Sequence, residues 1–210
     1  GKGRMGRPWE AAAGRNLLFS VILRPAFPGE HWGMITLAAS VAAAETVEGV
    51  TSPYVPKIKW PNDILLDGRK CCGMLLETVA NGPPHAKNPG VILGVGLNVN
   101  QINFPPSLEE TATSLRLISR QLVERAPLFV QLLSALQRRY EHLSEGGGAS
   151  IRQAFQNRMV GLGETVTLRY TSEDASVEGI IDGIDETGGL QLLVDGTRRT
   201  FHAGDVTVRG

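Results

Sequence analysis

Lys57-Ile58-Lys59-Trp60-Pro61-Asn62-Asp63-Ile64-Leu65-Leu66-Asp67-Gly68-Arg69-Lys70-Cys71-Cys72-Gly73-Met74-Leu75-Leu76-Glu77 decides the fold. Three short apolar runs follow one another in it. Residues 55–60 stop at Pro61, a residue that cannot donate to a ladder. Residues 64–66 lead into Asp67-Gly68, and residues 73–77 lead out. Asp-Gly between two such runs favours a hairpin, and the linker of residues 67–70 leaves room for a longer turn.

Outward from this sheet the chain alternates between apolar runs and punctuation. Leu17-Leu18-Phe19-Ser20-Val21-Ile22-Leu23 does not alternate and reads as a strand buried on both faces. Residues 31–47, rich in Ala, Leu and Ile, read as a core helix ending near Gly49. Residues 80–90 read as an exposed loop, and residues 90–99 as another buried strand, interrupted by Gly94 and Gly96. Residues 107–120 hold one or two short helices. A longer helix starts with Pro127 at its first position and carries Leu128, Leu132, Leu136, Tyr140 and Leu143 on its apolar face. Gly146-Gly147-Gly148 ends it, and Ser150 is a candidate cap for a last helix over residues 151–159. Beyond Gly161 come five short β-like runs at 165–170, 176–182, 190–194, 197–202 and 205–209. Five strands in so short a space read as a small SH3-like barrel. The fold class is therefore α+β, with a larger unit over residues 1–160 and a smaller one over 161–210.

Composition narrows the function. Hydrophobic residues make up 42% and charged residues 20% of the 210, which is a globular balance. Lys+Arg and Asp+Glu are equal at 21 each, which speaks against bulk nucleic-acid binding. No apolar run is read as a membrane span, and the basic N-terminus has no apolar segment after it to make a signal peptide. A start on glycines and cations, without Met, reads as a start inside a domain. Cys71 and Cys72 are neighbours, so a structural disulfide between them is not expected; they read as small, partly buried thiols of a reducing, cytoplasmic compartment. His31, His85, His142 and His202 sit in no metal or nucleophile spacing, and no metal ligand is identified.

Three stretches carry chemistry. Gly1-Lys2-Gly3-Arg4-Met5-Gly6-Arg7-Pro8-Trp9 has the glycine spacing of a dinucleotide loop, but Pro8 disfavours the helix such a loop should open. What remains is a flexible loop with three cations (Lys2, Arg4, Arg7) and the Trp9 ring; a solvated basic tail has the same composition. In Lys59-Trp60-Pro61-Asn62-Asp63, Lys59 lies in an apolar context and is a candidate for meeting an anion in a cleft, or for a snorkelling surface lysine; Asp63 fits an Asx turn. In Gly94-Val95-Gly96-Leu97-Asn98, glycines inside a strand mark close approach of a ligand or of another backbone, and Asn98 offers donors and an acceptor suited to an adenine edge.

Together these stretches resemble the biotin–protein ligases. GKGRMGRPW is similar to that family's Gly-Arg-Gly-Arg-x-Gly-Arg-x-Trp loop, with Lys2 where the family has Arg. Lys-Trp-Pro-Asn-Asp is intact at residues 59–63, and Lys70-Cys71-Cys72-Gly73-Met74-Leu75-Leu76-Glu77 resembles the Lys-x-x-Gly-x-Leu-x-Glu run that follows it. Gly94 to Val99 resembles Gly-x-Gly-x-Asn-Val, and the resemblance covers essentially the whole chain. It implies a mixed-sheet catalytic domain of the biotin/lipoate ligase type over residues 1–160 and an SH3-like domain over 161–210. The family's upstream Thr/Ser-Asn motif and Gln precede the point where this chain starts, and no helix-turn-helix stands ahead of the loop, so the single-function type without a DNA-binding domain is expected.

The resemblance implies a ligase that uses ATP, with Mg²⁺, to convert biotin to biotinyl-5′-AMP and then moves biotin to a lysine of a biotin carboxyl carrier domain. Lys59 and Arg4 are assigned to catalysis; Lys2, Gly3, Arg4, Lys59 and Gly73 to biotin; Arg4, Arg7, Trp9, Lys59 and Asn98 to the nucleotide. The resemblance also allows a homodimer through an exposed sheet edge, without locating it. Lipoate–protein ligase, a non-catalytic biotin- or adenylate-binding module, and an RNA-binding module are the competing readings; aromatics at 6% and the neutral charge speak against the last.

Overall fold

The computed structural model describes residues 1, 3, 6, 8–78, 90–169 and 175–208. Two five-stranded sheets carry the architecture. The strands of the first are β1 (Leu17–Leu23), β2 (Lys57–Lys59), β3 (Asp63–Leu66), β4 (Arg69–Thr78) and β5 (Val91–Leu97), in the spatial order β1-β5-β4-β3-β2. The second holds β6 (Thr165–Arg169), β7 (Ser176–Ile184), β8 (Leu190–Val194), β9 (Thr197–Phe201) and β10 (Asp205–Val208), in the order β10-β6-β7-β8-β9. All pairs between these strands are antiparallel. Parallel pairing enters only as isolated bridges, two of which (Ile58↔Met159 and Lys70↔Ala112) touch the first sheet. The helices are α1 (Gly33–Thr51), α2 (Leu115–Ser119), α3 (Arg125–Ser144) and α4 (Gly148–Gln156).

The centre of the molecule is α1. Its Met34, Leu37, Val41, Ala44 and Val47 are buried around the whole circumference, between the first sheet and helices α3 and α4. By length and mean hydropathy (1.2), Gly29–Thr51 would pass for a membrane span, which corrects the sequence reading. Its composition is that of a helix enclosed by protein on all sides. It also runs past Gly49, beside which there is open space, and stops at Thr51-Ser52 because Pro53 disfavours helix at the residue before it. Arg139 on α3 pairs with Glu45, and Arg158 lies 2.6 Å from Glu48, so both ion pairs tie the later helices back to α1.

Several local readings change. The strand β1 alternates in burial: Leu18 and Ile22 are 44% and 65% exposed, whereas Phe19 packs edge-on against Phe129 of α3, 5.0 Å between centroids. It is an edge strand covered on one face only, and its apolar outer residues hid that alternation. The Asp67-Gly68 turn has two residues, both with positive φ (51° and 71°), so β4 starts at Arg69 and includes both cysteines. Between residues 107 and 120 there is one helix, α2, capped by the Ser114 hydroxyl, which accepts from Leu117 N at 3.2 Å. Gly147 and not Ser150 precedes the first turn of α4; the Ser150 hydroxyl donates to the Gly147 carbonyl instead. Cys71 and Cys72 are free and fully buried rather than partly so. The exposed loop expected at residues 80–90 falls almost wholly outside the described residues.

The second sheet meets the first at a defined joint. The turn between β7 and β8 is held by Asp185, whose Oδ1 accepts from Thr187 N, Thr187 Oγ1 and Gly189 N at 2.8–2.9 Å. These bonds hold its carboxyl below the usual range against the upward pull of burial. The turn seats on the start of α1: a Cβ on Gly33 would stand 2.6 Å from the Thr187 carbonyl oxygen. The buried Trp60 indole N–H donates to the Gly188 carbonyl at 3.1 Å.

Candidate active site

Register gathers the sequence motifs on one face of the first sheet. Leu18 pairs with Gly96, Gly96 with Gly73, Gly73 with Asp63, and Asp63 with Lys59. Directly opposite residues share a face, so these five form one row across all five strands. The reverse face carries Val91, Leu93, Val95 and Leu97 of β5, all buried. Two glycines at the middle of the row leave a floor without side chains.

The Trp9 indole lies on that floor. A Cβ on Gly96 would come within 2.7 Å of its Cε2, and one on Gly73 within 2.9 Å of its Cζ3. Both glycines are therefore required for the ring to reach the sheet. The ends of the loop that carries Trp9 pair with each other, Trp9 N to Gly1 O at 2.8 Å and Gly1 N to Trp9 O at 3.0 Å. Farther along, Ala12 N donates to Gln101 Oε1 at 3.0 Å, and Asn16, which also accepts from Val99 N, donates to the same oxygen. The base of the loop is thus tied to the end of β5. Lys2, Arg4 and Arg7 lie outside the described residues; Gly3 is partly exposed.

Lys70 is the cation beside the floor, and sequence reasoning gave it no role. Its Nζ is 5.4 Å from the Trp9 ring centroid and 2.6 Å from Asp63 Oδ1, and its Cε would be 2.8 Å from a Gly73 Cβ. Three residues separate Lys70 from Gly73, so a regular strand would aim them at opposite faces. The ladder slips between Ile64 and Leu65, pairing them with Cys72 and Lys70 and leaving Cys71 over as the extra residue of a bulge. The slip turns Lys70 onto the floor. The signal was in the Lys-x-x-Gly spacing, but only with knowledge of the bulge.

Lys59 occupies the end of the same row. Its Nζ is 2.8 Å from Asp205 Oδ1 on β10, so the ammonium assigned to the substrate by sequence is engaged with the second sheet. Within the same motif, Trp60 faces the joint and Asn62 donates to the Met74 carbonyl, while Asp63 alone faces the floor. Asn98 spends its Nδ2 on the Thr113 carbonyl at 3.1 Å. Its Oδ1 is buried with no partner among the described residues, as is the Trp9 indole N–H. An acceptor and a donor are thereby left over next to the glycine floor. Burial pushes the Cys72 thiol up to about 12 and Cys71 also well upward, so neither is a thiolate nucleophile. Among the described residues no cluster of three His, Cys, Asp or Glu side chains can hold a metal ion. An apolar cavity of about 320 Å³ exists, but on the reverse face, between Val21, Leu93, Ala38 and Leu136.

This arrangement has counterparts in known proteins. Residues 1–98 match the Biotin/lipoate A/B protein ligase family, and residues 161–209 match the Biotin protein ligase C terminal domain. A biotin–[acetyl-CoA-carboxylase] ligase of Mycobacterium tuberculosis is 32% identical over 98% of this chain and 74% of its own length. The chain belongs to the biotin–protein ligase family. Another ligase of the same name, from Paracoccus denitrificans, is 31% identical over 100% of this chain and 87% of its own length. The chain spans 62% of the bifunctional ligase/repressor BirA of Bacillus subtilis, at 32% identity. Among solved structures, the biotin protein ligase of Aquifex aeolicus in complex with biotin and ATP superposes with a TM-score of 0.83 at 26% identity, covering 99% of this chain and 84% of that one. The α+β fold with a C-terminal SH3-like unit is thereby that of the ligase family.

Proposed function

We propose that the chain activates biotin with ATP and transfers it to a lysine of a biotin carboxyl carrier domain, with residues 1–160 as the catalytic domain and 161–210 as the SH3-like one. The observation that carries this is the row Leu18–Gly96–Gly73–Asp63–Lys59 with Lys70 beside it, in a chain of this family. The glycine floor accepts a flat fused ring, as the indole of Trp9 demonstrates. A substrate ring bound there lifts the indole, which is then free to stack on adenine. The unpartnered Asn98 Oδ1 is an acceptor for the exocyclic amine of that base.

In the first step a biotin carboxylate oxygen attacks the α-phosphorus of ATP. The bond to the pyrophosphate oxygen breaks, and pyrophosphate leaves with that electron pair. Negative charge gathers between two anions, and a fixed cation next to them lowers the barrier. Lys70, oriented by Asp63, is the described lysine placed for it, in preference to Lys59. Lys2, Arg4 and Arg7 add cations from the loop, and closure of the loop with Gly3 keeps water from the mixed anhydride. In the second step the carrier amine attacks the acyl carbon; an amide forms, AMP leaves, and the amine gives up a proton. Mg²⁺ accompanies ATP in this reading. The described donors do not form a protein-borne site for it, and no step is assigned through it.

The test is to mix the chain with biotin, α-labelled ATP and Mg²⁺, then add a carrier domain. Biotinyl-adenylate followed by a biotinylated carrier is the expected result. Tight biotin binding without adenylate would replace the proposal with a binding module, and adenylation of lipoate in preference to biotin would replace it with a lipoate ligase.

A further inference from the structure

Charges alternate along the path from the second sheet to the glycine floor. Asp205 on β10 holds Lys59 at 2.8 Å; Lys59 stands opposite Asp63 across β2 and β3; Asp63 holds Lys70 at 2.6 Å. Lys59 and Asp63 flank the Trp60-Pro61-Asn62 turn and share a face, the arrangement in which opposite charges on neighbouring strands attract. Lys59 thus has two carboxylates within its range and is paired with the one on the far side from Lys70. All four groups are partly buried, so solvent screens them less than free surface charges.

We infer that Asp205 is a positioning residue for Lys70, acting through Lys59 and Asp63. By drawing Lys59 away, it leaves the Asp63 carboxylate to Lys70 and holds that ammonium over the floor. Without Asp205, Lys59 turns to Asp63 and Lys70 loses its anchor. Docking of the second sheet does not depend on this pair, because the Asp185–Gly189 turn, the Trp60–Gly188 bond and the Gly33 contact hold the joint elsewhere. The inference rests on the role given above to Lys70. It assigns to the smaller domain a part in the electrostatics of the larger domain's site.

The test compares Asp205→Asn, Asp205→Glu and the double variant Asp205→Asn/Lys59→Met with the parent chain. The first readout needs no activity: the acylation rate of the Lys70 amine by acetic anhydride, resolved by mass spectrometry in the folded protein. Asp205→Asn raises it several-fold, Asp205→Glu leaves it near the parent value, and the double variant brings it back. The second readout is single-turnover adenylate formation, which falls about tenfold in Asp205→Asn and recovers in the double variant. A purely structural pair would not be rescued by removing its second member. An unchanged Lys70 amine in Asp205→Asn, or a double variant no better than the single one, overturns the inference. If the parent chain forms no adenylate, the ligase proposal fails, while the acylation rates still decide this one.

Discussion

Gly96 lies directly beneath Trp9: the missing Cβ would stand 2.7–3.0 Å from Cε2, Cζ2 and Cδ2 of the indole. That separation is inside van der Waals contact, and the atoms met belong to a rigid ring that cannot give way by bending. Gly96→Ala therefore has to lift the ring or fill the floor. Biotin binding by calorimetry is expected to weaken at least about tenfold, since overpacking costs about 1–3 kcal/mol. Gly49→Ala is the control: nothing lies within 4 Å of that position in α1. It should leave binding unchanged and stabilise the fold by about 0.5–1 kcal/mol, because alanine is the better helix former. Equal binding by Gly96→Ala and Gly49→Ala would count against the floor as the ring's seat.

The two lysines of the row separate by experiment. Lys70→Ala is expected to lower adenylate formation by about 10²–10³-fold, the range seen when one preorganised charge-stabilising donor is removed. Its circular dichroism should not change, since Lys70 is partly exposed. Lys59→Ala leaves the Lys70–Asp63 pair in place and should cost much less. The reverse ranking in a radiolabelled-ATP assay would return the role to Lys59.

The turn at Asp185 gives a pH-dependent stability. Its carboxyl is held below the ordinary range by the bonds from Thr187 and Gly189. A lowered folded-state value means the stabilisation is present above the unfolded-state value and disappears as pH falls through the folded one. Asp185→Ala should therefore cost about 1–2 kcal/mol at neutral pH by urea titration, and progressively less below about pH 4. A constant difference between the two proteins down to about pH 3 would refute the assignment.

Both thiols should be silent in the native protein. With Cys72 pushed up to about 12 and both side chains fully buried, a disulfide reagent at about pH 8 reacts only when the chain opens. The expected rate follows urea concentration as unfolding does; rapid labelling without denaturant would show that the bulge region opens locally.

Much of this was legible because it depends on neighbours in sequence. Asp67-Gly68 announced its turn through the positive φ that both positions adopt. The five strands after Gly161 announced themselves by short β-rich runs between glycine-bearing turns. The motifs pointed to the row, and the row exists. What did not show was the direction of individual side chains. Lys59 belongs to the more memorable motif, yet its ammonium goes to Asp205, 146 positions later in the chain. Lys70 reaches the floor through a slip in pairing that only the partner strand specifies. The exposure of β1 on one side escaped for a similar reason: Leu18 and Ile22 are apolar, and nothing in the run tells which element fails to cover them.

The bulge at Cys71 makes the Lys-x-x-Gly run a device for counting. An odd step along β4 is made even by one surplus residue, and the parity of that count decides whether an ammonium looks toward substrate or into hydrocarbon. Deleting a single buried cysteine would keep every residue named in the motif and still invert the site. For this segment, length is a chemical property in its own right, and a comparison that scores letters while forgiving a one-residue gap would miss a dead enzyme.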